Sequence, residues 1–70
     1  MIKIKLDEVL KERGVSLTEL SNAVNVTIAN LSILKTGKAK AVRFSTLEAI
    51  CDYLDCQPGD IIVNEQKVSD

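Results

Sequence analysis

The sequence predicts a mainly α, single domain of five short helices, closed by a small antiparallel strand pair from its two ends. Three observations carry this. Apolar residues recur at helical spacing in successive stretches that begin at Leu6, Leu17, Val26 and Leu47. Those stretches are punctuated by capping residues before them or by turn residues after them, namely Gly14, Ser16, Asn25, Thr27, Gly37 and Ser45. The first and last apolar runs, by contrast, are short and read as strands.

Met1 to Lys5 alternates apolar Ile2 and Ile4 with basic Lys3 and Lys5. That is a strand pattern, and its expected mate is Ile61-Ile62-Val63. Lys3 and Lys5 could instead belong to an arm that reaches DNA. The first helix is expected over about Leu6 to Arg13, with Leu6, Val9 and Leu10 facing inward. Asp7 and Glu8 suit its positive end, Lys11 and Arg13 its negative end, and Gly14 stops it.

The second helix spans about Leu17 to Val24. Ser16 and Glu19 form a capping-box pair at its start. Leu17, Leu20 and Val24 form its apolar face. Asn25-Val26 then breaks the pattern, because Asn tolerates the left-handed backbone of a sharp turn. Thr27 caps a third helix over about Ile28 to Thr36, with Leu31 and Leu34 turned inward beside Val26. Gly37 ends it, and Lys35 in its last turn complements the helix dipole.

After a loop from Lys38 to Phe44, Ser45-Thr46-Leu47-Glu48 reads as a second capping box opening the fourth helix. Leu47, Ile50, Cys51 and Leu54 form its buried face, and Tyr53 is expected half exposed. Phe44 is expected to plug the core. Pro58 suits the first turn of a short fifth helix, with Asp60 at its positive end. The polar tail, residues 64–70, is expected to be loose.

The stretch from 16 to 37 therefore presents two helices across a tight turn, and the second of them keeps a face that the core does not use. That face carries Ile28, Ala29, Ser32, Ile33 and Thr36, with Asn30 at its margin. A short helix held at an angle with its outer face free fits a DNA major groove. In this stretch the chain resembles the Cro/C1-type (XRE, lambda-repressor-like) helix-turn-helix family. The residues that carry the resemblance are Leu20-Ser21, Val24, Val26-Thr27, Leu31-Ser32, Leu34 and Lys35-Thr36-Gly37-Lys38. The downstream runs Lys40 to Phe44, Ser45 to Leu47 and Asp55 to Ile61 are also similar to short single-domain members, so that the likeness spans roughly residues 4 to 63. The chain departs from the family at Leu17, where a Gln usually touches the DNA backbone, and at Asn25, where Gly is usual. Relatives often carry Arg, Gln or Thr where this chain has Ile28 and Ile33.

The resemblance implies a five-helix DNA-binding fold whose third helix reads double-stranded DNA. Ile28, Ala29 and Ile33 can make apolar contact with thymine methyl groups, and Asn30 is a candidate for adenine. Thr27 and Ser32 can hydrogen-bond phosphate or base edges. Ser16 and Thr18, beside the free amides of the second helix, can hold a phosphate.

Charge agrees in its distribution rather than its sum. The net charge is -1, yet no acid occurs between Leu20 and Leu47, a segment that carries Lys35, Lys38, Lys40 and Arg43. Seventy residues make one domain, which is marginal alone and gains from a partner. Apolar residues make up 46%, enough for a core, while 3% aromatics disfavour base stacking on single strands. No apolar run approaches the ~20 residues of a membrane span, and the start of the chain lacks a signal-peptide block. A cytoplasmic protein with no membrane association is expected. With two cysteines and no histidine, a metal site is not expected, and Cys51 and Cys56 read as small hydrophobes. No nucleophile motif or phosphate loop argues for an enzyme, and no cofactor or small-molecule ligand is expected.

The expected function is a sequence-specific transcriptional regulator, acting as a repressor and as a homodimer that reads two half-sites. Its dimer surface is expected on the fifth helix and the terminal strands. A helix-turn-helix fold that has lost DNA reading, and binds a protein through Ile28 and Ile33, stands beside that expectation.

Overall fold

A computed structural model describes residues 1–66. Five helices follow strand β1 (Ile2–Ile4): α1 (Leu6–Arg13), α2 (Leu17–Val24), α3 (Ile28–Lys35), α4 (Phe44–Leu54) and α5 (Pro58–Ile61), before strand β2 (Ile62–Asn64). One core joins all five helices. Leu6, Val9 and Leu10 come from α1, Leu20 from α2, and Leu31 and Leu34 from α3. Ile50, Cys51 and Leu54 of α4 and Ile61 of α5 complete it. Leu17, Val24, Val26 and Leu47 pack around this centre half-buried. Among the described residues no polar side chain is buried, so the core is held by apolar burial alone.

The helix ends follow from a few local residues. Ser16 accepts the Glu19 N–H at 3.0 Å, and Thr27 accepts the Asn30 N–H at 3.2 Å. Each satisfies an amide that the first turn leaves without a partner. Gly37, with φ 78°, closes α3. Its N–H returns to the Leu34 carbonyl and that of Lys38 to Ile33, both at 3.0 Å. This paired closure requires a left-handed residue, which glycine supplies without strain.

Asn25 meets the same demand at the turn between α2 and α3, with φ 56°. The turn is locked from both sides by one residue pair. Ser21 Oγ donates to the Val26 carbonyl, and the Val26 N–H donates to the Ser21 carbonyl at 3.3 Å. Because a side chain at φ > 0 is strained, Asn25→Gly is expected to raise stability by roughly 0.5 kcal/mol, the gain being reduced by the greater freedom of glycine in the unfolded chain. Thermal unfolding followed by circular dichroism checks this as a rise of a few degrees.

The termini pair antiparallel as the alternation predicts, shifted by one residue at the far end. Ile2 faces Asn64, Lys3 faces Val63 and Ile4 faces Ile62. Ile61 belongs to α5 and is fully buried, while its carbonyl accepts the Lys5 N–H at 2.6 Å. Lys3 and Lys5 lie 3.6 and 3.7 Å from the Glu65 carboxylate, which makes this segment a strand and not a free arm. The tail is also shorter than expected. Asn64 is in β2, and the Glu65 N–H donates to the Met1 carbonyl at 2.8 Å. Residues 67–70 of the expected loose tail lie outside the described residues.

Two expectations at the start of α4 fail together. The helix begins at Phe44 with Arg43 as its N-cap and no side-chain cap bond, so the Ser45–Glu48 box does not form. The backbone enters two residues earlier, and the Leu47 N–H already bonds to the Arg43 carbonyl at 3.0 Å. That entry turns Phe44 outward, leaving it 88% exposed instead of in the core.

Candidate nucleic-acid interface

The outward face of α3 follows from the positions its core contacts occupy. Leu31 and Leu34 are buried, so the helical turn carries Ala29, Ser32 and Thr36 to the opposite side. Ile28 and Ile33 are each 47% exposed. Five residues apart at 3.6 residues per turn, they stand roughly 140° apart around the axis. They therefore flank the small polar stripe and do not merge into one apolar patch.

The hydroxyls of this region differ in what they can still offer. Thr27 Oγ1 accepts the Asn30 amide, and Ser16 Oγ accepts the Glu19 amide. An accepting hydroxyl keeps its own proton to donate to a phosphate oxygen. Thr18 is exposed near the N-terminus of α2, and Asn30 is exposed on the loop side of α3. Ser32 is half-buried. Thr36 Oγ1 lies 3.0 and 3.2 Å from the Ser32 and Ile33 carbonyls, so its proton is directed back onto its own helix.

The basic groups divide in two. Lys35 is drawn to α1, with its Nζ 3.5 Å from Asp7, which also pairs with Lys11 at 3.1 Å. Lys38, Lys40 and Arg43 are exposed on the loop between α3 and α4, and none makes an ion pair among the described residues. Asn30 and Ile33 of α3 face Lys38, Lys40 and Arg43 across a groove of about 440 Å³. Thr46, expected only as part of a capping box, also lines that groove. The only signal for it was its place in the first turn of α4, and the capping box expected there pointed elsewhere.

The Lys11 hydrogen bond, helped by the charges of Lys11 and Lys35, lowers the Asp7 carboxyl below its ordinary 3.8. A depressed carboxylate stabilises the fold above its unfolded value, and that contribution is lost as pH falls through the lower folded value. The Asp7 resonance is thus expected to titrate below pH 3.8 by NMR. Asp7→Asn is expected to release Lys35 at neutral pH. Affinity for duplex DNA then rises a few-fold at low salt, checked by fluorescence anisotropy.

Among the described residues no cluster of three or more His, Cys, Asp or Glu could hold a metal ion. No described helix is long and apolar enough to cross a membrane. What the site presents is a short exposed helix, a stripe of small residues flanked by two isoleucines, and an adjacent loop of three exposed cations.

Two comparisons bear on this arrangement. The Cro/C1-type HTH DNA-binding domain family matches the chain over residues 5–67. Among curated proteins the chain is similar to the uncharacterized HTH-type transcriptional regulator YozG of Bacillus subtilis (strain 168). The two are 64% identical over 61 residues, covering 87% of this chain and 73% of that protein.

Proposed function

The chain belongs to the Cro/C1-type helix-turn-helix DNA-binding family, and from that premise we propose that it is a sequence-specific transcriptional repressor. In this reading α3 lies in the major groove with Ala29, Ser32 and Thr36 toward the base edges. Ile28 and Ile33 contact thymine methyl groups on either side of that stripe. Ser16, Thr18 and Thr27 meet phosphates along one strand, and Lys38, Lys40 and Arg43 meet them along the other flank. Bound over a promoter, the protein denies polymerase the same groove. The supporting observation is that the exposed face of α3 adjoins three cations that make no ion pair among the described residues, in a segment without acids from Leu20 to Leu47.

A single module with so few phosphate contacts binds weakly, so we take the working form as a homodimer reading half-sites about 34 Å apart or a multiple of that. The contact is placed on α5 and the terminal strands, where Ile2 is 64% exposed and Ile62 and Val63 are half-buried. Ile61 drops out of that surface because it is fully buried. Sedimentation is the check, and a monomer at tens of micromolar overturns the dimer.

Selection from random duplex DNA at low and moderate salt tests the whole reading. An enriched palindromic motif supports it, and no enrichment at low salt overturns it. The exposed isoleucines also suit a protein partner, since α3 carries no Arg or Gln to grip a base. Salt separates the readings, because phosphate binding weakens steeply with salt and apolar association scarcely does. Ile33→Ala is expected to lower affinity for the selected site about tenfold while leaving binding to random duplex unchanged. Titration of both duplexes by anisotropy checks it.

A further inference from the structure

At the ends of α1 to α4 the chain closes in the same way. The N–H groups of Val15, Val26, Lys38 and Cys56 return to the carbonyls of Leu10, Ser21, Ile33 and Cys51, at 3.0 to 3.3 Å. Such a closure brings the side chains at its two ends together, ordinarily as an apolar contact. Leu10 and Val15 are of that ordinary kind. At the end of α4 the same two positions are both cysteines, turned by Asp55 at φ 53°.

The 3.0 Å bond from Cys56 to Cys51, with the covalent lengths on either side, holds the two Cα atoms within about 7 Å. A disulfide needs about that separation, with the side chains facing one another. The second condition follows from the closure, which turns the side chains at its first and last positions toward one another, and both cysteines line the same groove. Both are free, and both line an open groove beside Phe44, Leu47 and Pro58. Cys51 is 8% exposed and Cys56 is half-buried, so an incoming molecule meets Cys56 first.

We propose that Cys51 and Cys56 form a redox site that gives up two electrons to a small disulfide. The Cys56 thiol loses its proton to solvent, and its sulfur attacks one sulfur of the small disulfide. That bond breaks, and the first small thiolate leaves and takes up a proton. Cys51, deprotonated in turn, attacks the Cys56 sulfur of the mixed disulfide and expels the second small thiolate. Two protein thiols become one intramolecular disulfide, and one small disulfide becomes two thiols. The new bond ties the last turn of α4 to the residues entering α5. It leaves α3 and its loop untouched, so the inference stands apart from the DNA-binding proposal.

Burial, the adjacent Cys51 and Asp60 push the Cys56 thiol up to about 11, with Arg13 of α1 opposing. Burial also raises Cys51, with Asp52 and Asp60 adding to it and the Cys56 hydrogen bond opposing. The thiolate is the attacking form, so exchange is slow at neutral pH and quickens about tenfold per pH unit until the pH nears the Cys56 value.

The test is incubation of the whole reduced protein with a large excess of oxidised glutathione, followed by mass spectrometry without reductant and by thiol titration. The expected product is a single chain lighter by two hydrogens, without adduct or titratable thiol, and restored by dithiothreitol. Cys51→Ser is expected to stop at one glutathione adduct on Cys56. Cys51→Ala, checked for folding by circular dichroism, is expected to do the same. The proposal is overturned if the wild-type chain halts at the mixed disulfide, joins to a second chain, or keeps both thiols at pH 9.

Discussion

Replacing Lys38, Lys40 and Arg43 together by alanine is expected to weaken duplex binding by roughly a hundredfold or more at about 0.1 M salt, nearly equally for every DNA sequence. The three side chains are exposed on one loop beside the reading helix, and none makes an ion pair among the described residues. Their removal therefore costs the fold little, and surface changes of this kind usually alter stability by about 0.5 kcal/mol or less. Each phosphate contact releases condensed counterions, so the slope of log affinity against log salt should flatten by nearly one for each residue. Anisotropy titrations over a salt series measure both quantities. A large loss confined to one DNA sequence would mean that these residues read bases. An unchanged slope would remove the loop from the interface altogether.

Leu20→Ala is expected to have the largest effect on stability. Leu20 is fully buried where α2 meets α3 and α4. Truncating a buried Leu costs about 3 kcal/mol, from lost transfer energy and the cavity left behind. A 70-residue chain commands only about 4–10 kcal/mol in total. The midpoint of thermal unfolding should fall by roughly 15 °C or more. Leu17→Ala, half-buried on the same helix, should cost less than half as much. Equal losses at the two positions would contradict the packing described. Because α2 holds α3 at its angle, the Leu20 variant should also lose DNA binding on warming before the wild type does. Added duplex should recover part of the lost midpoint, since a ligand that binds only the folded chain stabilises it.

Much of the helical order was legible because it is written in neighbours. Ser16 and Thr27 cap within three residues, Gly14, Asn25 and Gly37 set left-handed ends, and the apolar stripes repeat within two turns. The free face of α3 was legible for the same reason, since placing Leu31 and Leu34 inward leaves only one side open. The capping box at Ser45 was a local signal that misled. Arg43 and Phe44 enter α4 before it, and a pattern of four residues cannot show where the preceding loop delivers the chain.

What the sequence by itself determined, then, is the number and order of the helices, most of their ends though not the start of α4, and which helix has an unused face. Those are consequences of backbone sterics and short-range periodicity, which act within a few residues. Only the tertiary structure decided which charges remain available. It placed Asp7 against Lys35 across two helices, turned Arg13 Nε onto the Leu54 carbonyl at 2.8 Å, and drew Lys3 and Lys5 to Glu65. It also put Phe44 in solvent and brought two cysteines to one groove. Contacts of this kind join residues far apart in the chain or depend on the direction in which a segment arrives. They are settled when the core closes, because only then does each side chain acquire its neighbours.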